Sequence, residues 1–243
     1  TESEWRDLMH AIVGDAKRVL APRGSAIFIL QANQEHVGKT RAWLAEFEVY
    51  CLKTWNIVQD AYWWNPSACP TAHSQRKNGL MRPSVKRLIW VGEPDCYRDQ
   101  GEVLWEPSDA TKALKAEDRA LRTHPSGFTF RQGRIKECME ARNGTTPFNL
   151  IPVSNTASAN HHGHGAATPL PLCRWWVKYL CRRGGLILDP FSGSGTVGLA
   201  CAIEGRKHVG FEKNSEDVIK ANQRIAAALA LAHASAVAKL GMF

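Results

Sequence analysis

The chain has 243 residues, 44% of them hydrophobic, with 31 Lys and Arg against 23 Asp and Glu, a formal charge of +8 and a pI of about 9.2. That is enough chain and apolar content for one substantial domain, or one domain with an insertion, built on its own core. No run approaches the roughly 18 apolar residues of a membrane span, and the opening "TESEWRDLMH" is too charged for a signal peptide, so an intracellular, cytoplasmic protein with no membrane partner is expected.

Seven cysteines, an odd number with no C-x-x-C pair, argue against a disulfide framework and against structural zinc. The positive balance favours a polyanionic partner. Residues 5–20 set Trp5, Leu8, Met9, Ile12, Ala16 and Leu20 at helical spacing, and "APRG" at 21–24 ends the pattern. "SAIFIL" (25–30) has the length of a buried strand, 41–48 reads as helix, and 56–63 and 87–91 read as strands.

From about residue 99 to 146 the sequence turns polar and charged with little strand pattern, as an inserted region would. Lys112, Lys115, Arg131, Arg134 and Lys136 are interleaved there with Phe128 and Phe130, a mixture suited to phosphate contact and base stacking, with a solvated surface as the alternative. "NTASANHHGHGAATP" (155–169) is a small-residue linker. Its His161, His162 and His164 have no Cys or carboxylate at ligand spacing, so no metal is expected. The α/β rhythm then returns, with helix over 170–180, strand over 186–188, helix over 197–204, strand over 207–211 and a last helix from Ser215.

The most informative stretch is "LILDPFSGSGTVGLACAIEGRKHVGFEKN". A strand ending in Asp189 and followed by Phe191, Gly193, Ser194, Gly195 and Thr196 puts a carboxylate and close-approach backbone at the carboxyl end of a strand, where open α/β sheets bind ligands. About 20 residues on, a second strand ends in Glu212, a carboxylate able to accept both hydroxyls of a ribose. The turn lacks GxxxxGK[ST] and opens on an acid, which disfavours phosphate. It is not GxGxxG, which disfavours a dinucleotide. A ribose at one end and a cationic amino-acid group at the other fits better, and S-adenosylmethionine has both.

These residues resemble the cofactor motif of the DNA amino-methyltransferases, which methylate the exocyclic nitrogen of adenine or cytosine. The resemblance implies that Asp189, Phe191, Gly193, Ser194, Gly195 and Thr196 hold the methionine part of S-adenosylmethionine and Glu212 its ribose. "HGAATPLPL" (164–172) is similar to an element of that family lying against the cofactor, matching at His164, Thr168 and Pro169, with Gly165 where Pro is usual. "EWRDLMHAIVGDAKRVLAPRGSAIFI", "WNIVQDAYWWNPSACP" and "RPSVKRLIWVGEP" resemble further segments, in the order of the beta arrangement. The implied fold is an α/β, Rossmann-like methyltransferase sheet with helices on both faces and an inserted target-recognition region. Residues 1–98 form the catalytic half, 99–150 the insertion and 151–243 the cofactor half.

The family's catalytic tetrapeptide, [DNS]-P-P-[YFW], does not occur in the sequence. Its first side chain and a neighbouring carbonyl accept hydrogen bonds from the target amine while the aromatic stacks on the flipped base. Asn65, in "WNPSACP", is the one candidate within the chain, although its position matches a different segment of the family. By alignment the motif belongs before Trp5, on a strand lying between those of Ile187 and Ile27. Upstream residues, a homodimer or a partner chain is therefore expected to supply it. The expected activity is methyl transfer from S-adenosylmethionine to an exocyclic amine in double-stranded DNA, adenine N6 before cytosine N4, in a prokaryotic or phage-like setting of restriction-modification. The alternative is a catalytically inactive DNA-binding or regulatory subunit that retains the fold.

Overall fold

The computed structural model describes residues 1–69, 71, 76–155 and 168–240. His161, His162 and His164 lie outside the described residues. Helix α1 (Glu2–Val19) starts in a capping box, with the Thr1 side chain accepting from Glu4 N, acids in its first turn, and Lys17 and Arg18 in its last, opposite to the ends of the helix dipole. There follow β1 (Ser25–Leu30), a small hairpin of β2 (Gln34–His36) and β3 (Lys39–Thr40), α2 (Trp43–Thr54), β4 (Ile57–Trp64) and β5 (Val85–Gly92).

A separate compact unit, Asp99–Phe148, holds α3 (Asp109–Lys112), β6 (Leu121–Thr123), β7 (Thr129–Arg131) and α4 (Gln132–Arg142). The chain then returns to the first unit through β8 (Leu150–Pro152), α5 (Leu170–Leu180), β9 (Leu186–Asp189), α6 (Thr196–Glu204), β10 (Lys207–Gly210) and α7 (Ser215–Leu240).

The first unit contains a four-stranded sheet in the order β1-β5-β4-β8. β5 runs antiparallel to both β1 and β4, and β8 runs parallel to β4. β5 is buried from Leu88 to Gly92, which its unbroken apolar run demands of a strand covered on both faces. On one face Met9 and Val13 of α1 and Phe47 and Cys51 of α2 close over Ile89 and Val91, with Ala26, Phe28 and Leu30 at the margin. On the other, Leu172 and Trp176 of α5 join Ala61, Trp63, Leu88 and Ile151, and the alternate β1 residues Ile27 and Ile29 turn to this side.

β9 and β10 form a parallel pair with Ile187 opposite His208 and Asp189 opposite Gly210. The same helix α5 covers it, since Cys173 and Val177 pack with Ala200 and Cys201 of α6 against Ile187. One helix thus lies on both sheets. Arg174 of α5 donates to Glu204 of α6 at 2.6 Å, and the buried Arg206 donates to the Cys181 carbonyl at 2.9 Å, which fixes α6 relative to α5. Among the described residues β1 pairs only with β5, and β9 only with β10. The β9 residues facing away from α5 are exposed, Leu186 at 63% and Leu188 at 45%.

Candidate functional site

The turn between β9 and α6 is held by its own backbone and by the end of β10. Phe191 N donates to Asp189 Oδ1 at 3.1 Å, an Asx-type bond that turns the chain out of the strand. Ser192 N donates to the Phe211 carbonyl and Phe211 N to the Asp189 carbonyl, both at 2.9 Å, so the two strand ends stay tied beyond the ladder. Glu212 is anchored on both sides: Gly193 N donates to Oε2 and Asn214 N to Oε1, each at 2.9 Å. Asn214 in turn accepts from Glu216 N at 3.0 Å and so caps α7. From α7, Arg224 donates to the Ser194 carbonyl.

Asp189, Gly193 and Glu212 are therefore brought together at the carboxyl ends of two parallel strands. Ser194 and Thr196 are buried at the start of α6, whereas Phe191 is 63% exposed. A carboxylate has four acceptor positions, and two of those on Glu212 are taken by the backbone donors Gly193 N and Asn214 N. Thr168 lies next to Pro169, which is fully buried as the cap of α5.

Burial raises the Asp189 pKa above its ordinary value, and the negative Glu212 adds to the shift, with the Phe191 N–H and His208 opposing it. Among the described residues its Oδ2 has no hydrogen bond. Burial pushes His208 down from its ordinary value, with Asp189 opposing the shift. Because the folded-state pKa of Asp189 lies above the unfolded one, ionising it costs stability as the pH rises through that value. A half-buried, under-compensated carboxylate at a ligand-binding strand end is suited to a cationic ligand group.

Gly195 has a left-handed backbone (φ +76°), and a Cβ there would sit 2.6 Å from the Ala221 Cβ of α7. Gly195→Ala is expected to destabilise the chain by about 2–4 kcal/mol, combining left-handed strain with overpacking. Gly184→Ala is the control, with a similar φ of +74° and open space around it, and should cost roughly 1 kcal/mol. Urea unfolding of both variants measures the difference, and equal losses would show that the α6–α7 contact is not what demands the glycine.

Asn65 has a structural occupation. Its Oδ1 accepts from Ser67 N at 3.1 Å and from Asn155 N at 3.0 Å, which stitches the end of β4 to the segment after β8.

In the Asp99–Phe148 unit eight Lys and Arg are matched by eight Asp and Glu, so the unit carries no net charge and what counts is which cations are paired. Lys112 binds Glu106 at 2.7 Å, and Lys136, only 17% exposed, lies 3.2 Å from Glu140. Lys115, Arg131 and Arg134 are exposed and have no ion-pair partner among the described residues. No group of His, Cys, Asp and Glu among the described residues could hold a metal ion, and no helix among them is long and apolar enough to cross a membrane.

Comparison with known proteins bears on the family and the fold. A family model described as DNA methylase, for the N6 and N4 enzymes, matches residues 1–223. Type II methyltransferase M.PvuII of Proteus hauseri is 27% identical over 178 residues, covering 67% of this chain and 52% of the relative. Type II methyltransferase M.XycI of Xanthomonas campestris pv. cyanopsidis is 31% identical over 146 residues, 57% of this chain and 48% of the relative. The chain thus spans about half the length of these relatives.

Among solved structures, PvuII DNA methyltransferase, titled cytosine-N4-specific, superposes with a TM-score of 0.69 at 20% identity, over 92% of this chain and 71% of that one. An M1.HpyAVI–SAM complex gives 0.55 at 15% identity, over 91% and 82%. At those identities the likeness establishes the fold, a Rossmann-like α/β sheet with helices on both faces. With the family model matching nearly the whole chain, from α1 into α7, the chain belongs to the N6/N4 DNA methylase family.

Proposed function

We propose that this chain is the cofactor-binding and DNA-contacting part of a DNA amino-methyltransferase that uses S-adenosylmethionine. The observation that carries the reading is the pair of carboxylates at adjacent strand ends: Asp189, half-buried and under-compensated, and Glu212, fixed by Gly193 N at 2.9 Å. Asp189 attracts the ammonium end of the cofactor, the 193–196 turn lets it approach the backbone, and Glu212 accepts from the ribose. His164 and Thr168 would line the same site from the segment before α5. When bound, S-adenosylmethionine supplies an electrophilic methyl group on a sulfonium.

The target is the exocyclic amine of adenine or cytosine in double-stranded DNA. Its lone pair is delocalised into the ring, so it becomes a nucleophile only when acceptors draw on its hydrogens. Those acceptors belong on a further strand pairing between β1 and β9. Both strands have a neighbour on one side only among the described residues, and one helix, α5, packs against both. Unpaired strand edges of this kind invite a further strand. The strand would come from the same polypeptide or from a partner, and the exposed Leu186 and Leu188 beside it would be covered with it.

A second reading, a regulatory subunit with no catalysis, is favoured only by the engagement of Asn65 in the β4 turn.

Calorimetric titration of residues 1–243 with S-adenosylmethionine tests the site. Glu212→Ala should weaken binding by about 1–3 kcal/mol, the cost of unpaired polar groups, and Glu212→Gln, which keeps one acceptor oxygen, should lose less. For the wild type, affinity should fall as the pH is lowered through the raised pKa of Asp189, where protonation removes the partner of the ammonium. Equal affinity in all three proteins and at all pH values would sink the assignment.

A further inference from the structure

The two strands β6 and β7 make an antiparallel ribbon paired Leu121 to Arg131, Arg122 to Phe130 and Thr123 to Thr129. It closes through a turn in which His124 N donates to the Phe128 carbonyl and Gly127 N to the His124 carbonyl, both at 2.8 Å. His124 Nδ1 also accepts from Ser126 N at 3.2 Å. From Leu121 to Thr129 every residue is exposed. Strand alternation therefore places Arg122, His124, Phe128 and Phe130 on one face.

On that face the rings of Phe128 and Phe130 stack, 6.2 Å apart and within 12° of parallel, although Phe128 is 68% exposed. An exposed aromatic pair on a ribbon that covers no core gains little from folding alone. Of its neighbouring cations, Arg119, Arg122 and Lys136 are paired with Glu137, Asp118 and Glu140, while Arg131 and Arg134 have no acid partner among the described residues.

We propose that the β6–β7 ribbon is a groove-reading arm: it enters the major groove of duplex DNA with the Phe128–Phe130 face on the base edges. This rests on the DNA-methyltransferase reading above and names the element that would set its sequence preference. Three features point to this occupant. A two-stranded ribbon is the size the major groove, about 12 Å wide, admits. Aromatic rings make apolar contacts with base edges, the thymine methyl above all, but none with phosphate. The unpaired Arg131 and Arg134 complement a polyanion and repel a basic partner. A second copy of the chain would bring its own unpaired Arg131 and Arg134 against these two, which disfavours self-association through this face.

The test is selection from a pool of random-sequence duplexes by residues 1–243, wild type against Phe128→Ala/Phe130→Ala and against Arg131→Glu, with circular dichroism checking that each is folded. The wild type should enrich a consensus. The Phe double variant should lose preference at one or more consensus positions and bind about tenfold less tightly with an unchanged salt dependence. Arg131→Glu should keep the consensus and bind all sequences more weakly. A Phe variant with the wild-type consensus and affinity overturns the proposal while leaving the methyltransferase reading in place. A change in sedimentation with no change in DNA binding would overturn it in favour of self-association. If the wild type neither selects DNA nor binds S-adenosylmethionine, both fall together.

Discussion

Residues 1–243 expressed alone should bind S-adenosylmethionine and transfer no tritiated methyl to DNA above background. The expected loss is complete because two requirements fail together. In-line transfer needs the amine held about 3–3.5 Å from the methyl group, and it needs acceptors for the amine hydrogens as charge develops, each such group contributing about a hundredfold or more. The side chain that sequence alone offers for the second task, Asn65, already spends its carbonyl oxygen on two backbone donors in the β4 turn. Ser67, which stands where a second proline would aim the neighbouring carbonyl, donates to Ser154 at 3.1 Å instead. Supplying a segment with an acid-Pro-Pro-aromatic motif, long enough to lie between the six-residue β1 and β9, should restore transfer whether fused or added in trans. Mass spectrometry of the digested product would then identify the methylated base. Normal turnover by the bare chain, abolished by Asn65→Ala, would make the β4 turn the catalytic motif and defeat the proposal of an inserted strand.

What could be read from sequence, and what could not, divides along burial. β1 and α5 run over the residues their apolar patterns mark, 25–30 and 170–180, because both are packed against a core that selects the pattern. α1 begins three residues before its first apolar position, since the Thr1–Glu4 capping box sets its start rather than a buried face. β8, β6 and β7, each three residues long, leave no alternation to detect, and the exposed β6 selects none.

At the site, the spacing of Asp189, the glycines and Glu212 is visible because ligand geometry fixes residue types in the turn. The tertiary bonds around it are not. Nothing local announces that Gly193 N and Asn214 N divide the Glu212 carboxylate, or that Arg224 reaches back to the Ser194 carbonyl. Likewise a count of cations in the Asp99–Phe148 unit misleads until the pairs of Lys112 with Glu106, Arg119 with Glu137, Arg122 with Asp118 and Lys136 with Glu140 are subtracted.

That subtraction leaves Lys115, Arg131, Arg134 and Arg142, the last engaged by Gln100, and reversing Arg131 and Arg134 together to Glu should have the largest effect on DNA binding. Both are exposed and have no ion-pair partner among the described residues, so each can exchange a hydrated counterion atmosphere for a phosphate without first breaking an internal contact. If each neutralises one phosphate, removing them lowers the slope of log affinity against log salt by about 0.9 per contact, or roughly 1.8 for the pair. Between about 50 and 200 mM salt the wild type should therefore lose about tenfold more affinity than the variant does. Reversal of Lys112 and Lys136 is the comparison. Their contribution is already spent on Glu106 and Glu140, so the salt slope should move by much less, although losing the half-covered Lys136 would show as a lower unfolding midpoint. Fluorescence anisotropy of a labelled duplex across a salt series reads both effects. An unchanged slope in Arg131→Glu/Arg134→Glu would mean that these side chains are a solvated face and that DNA is held elsewhere on the chain.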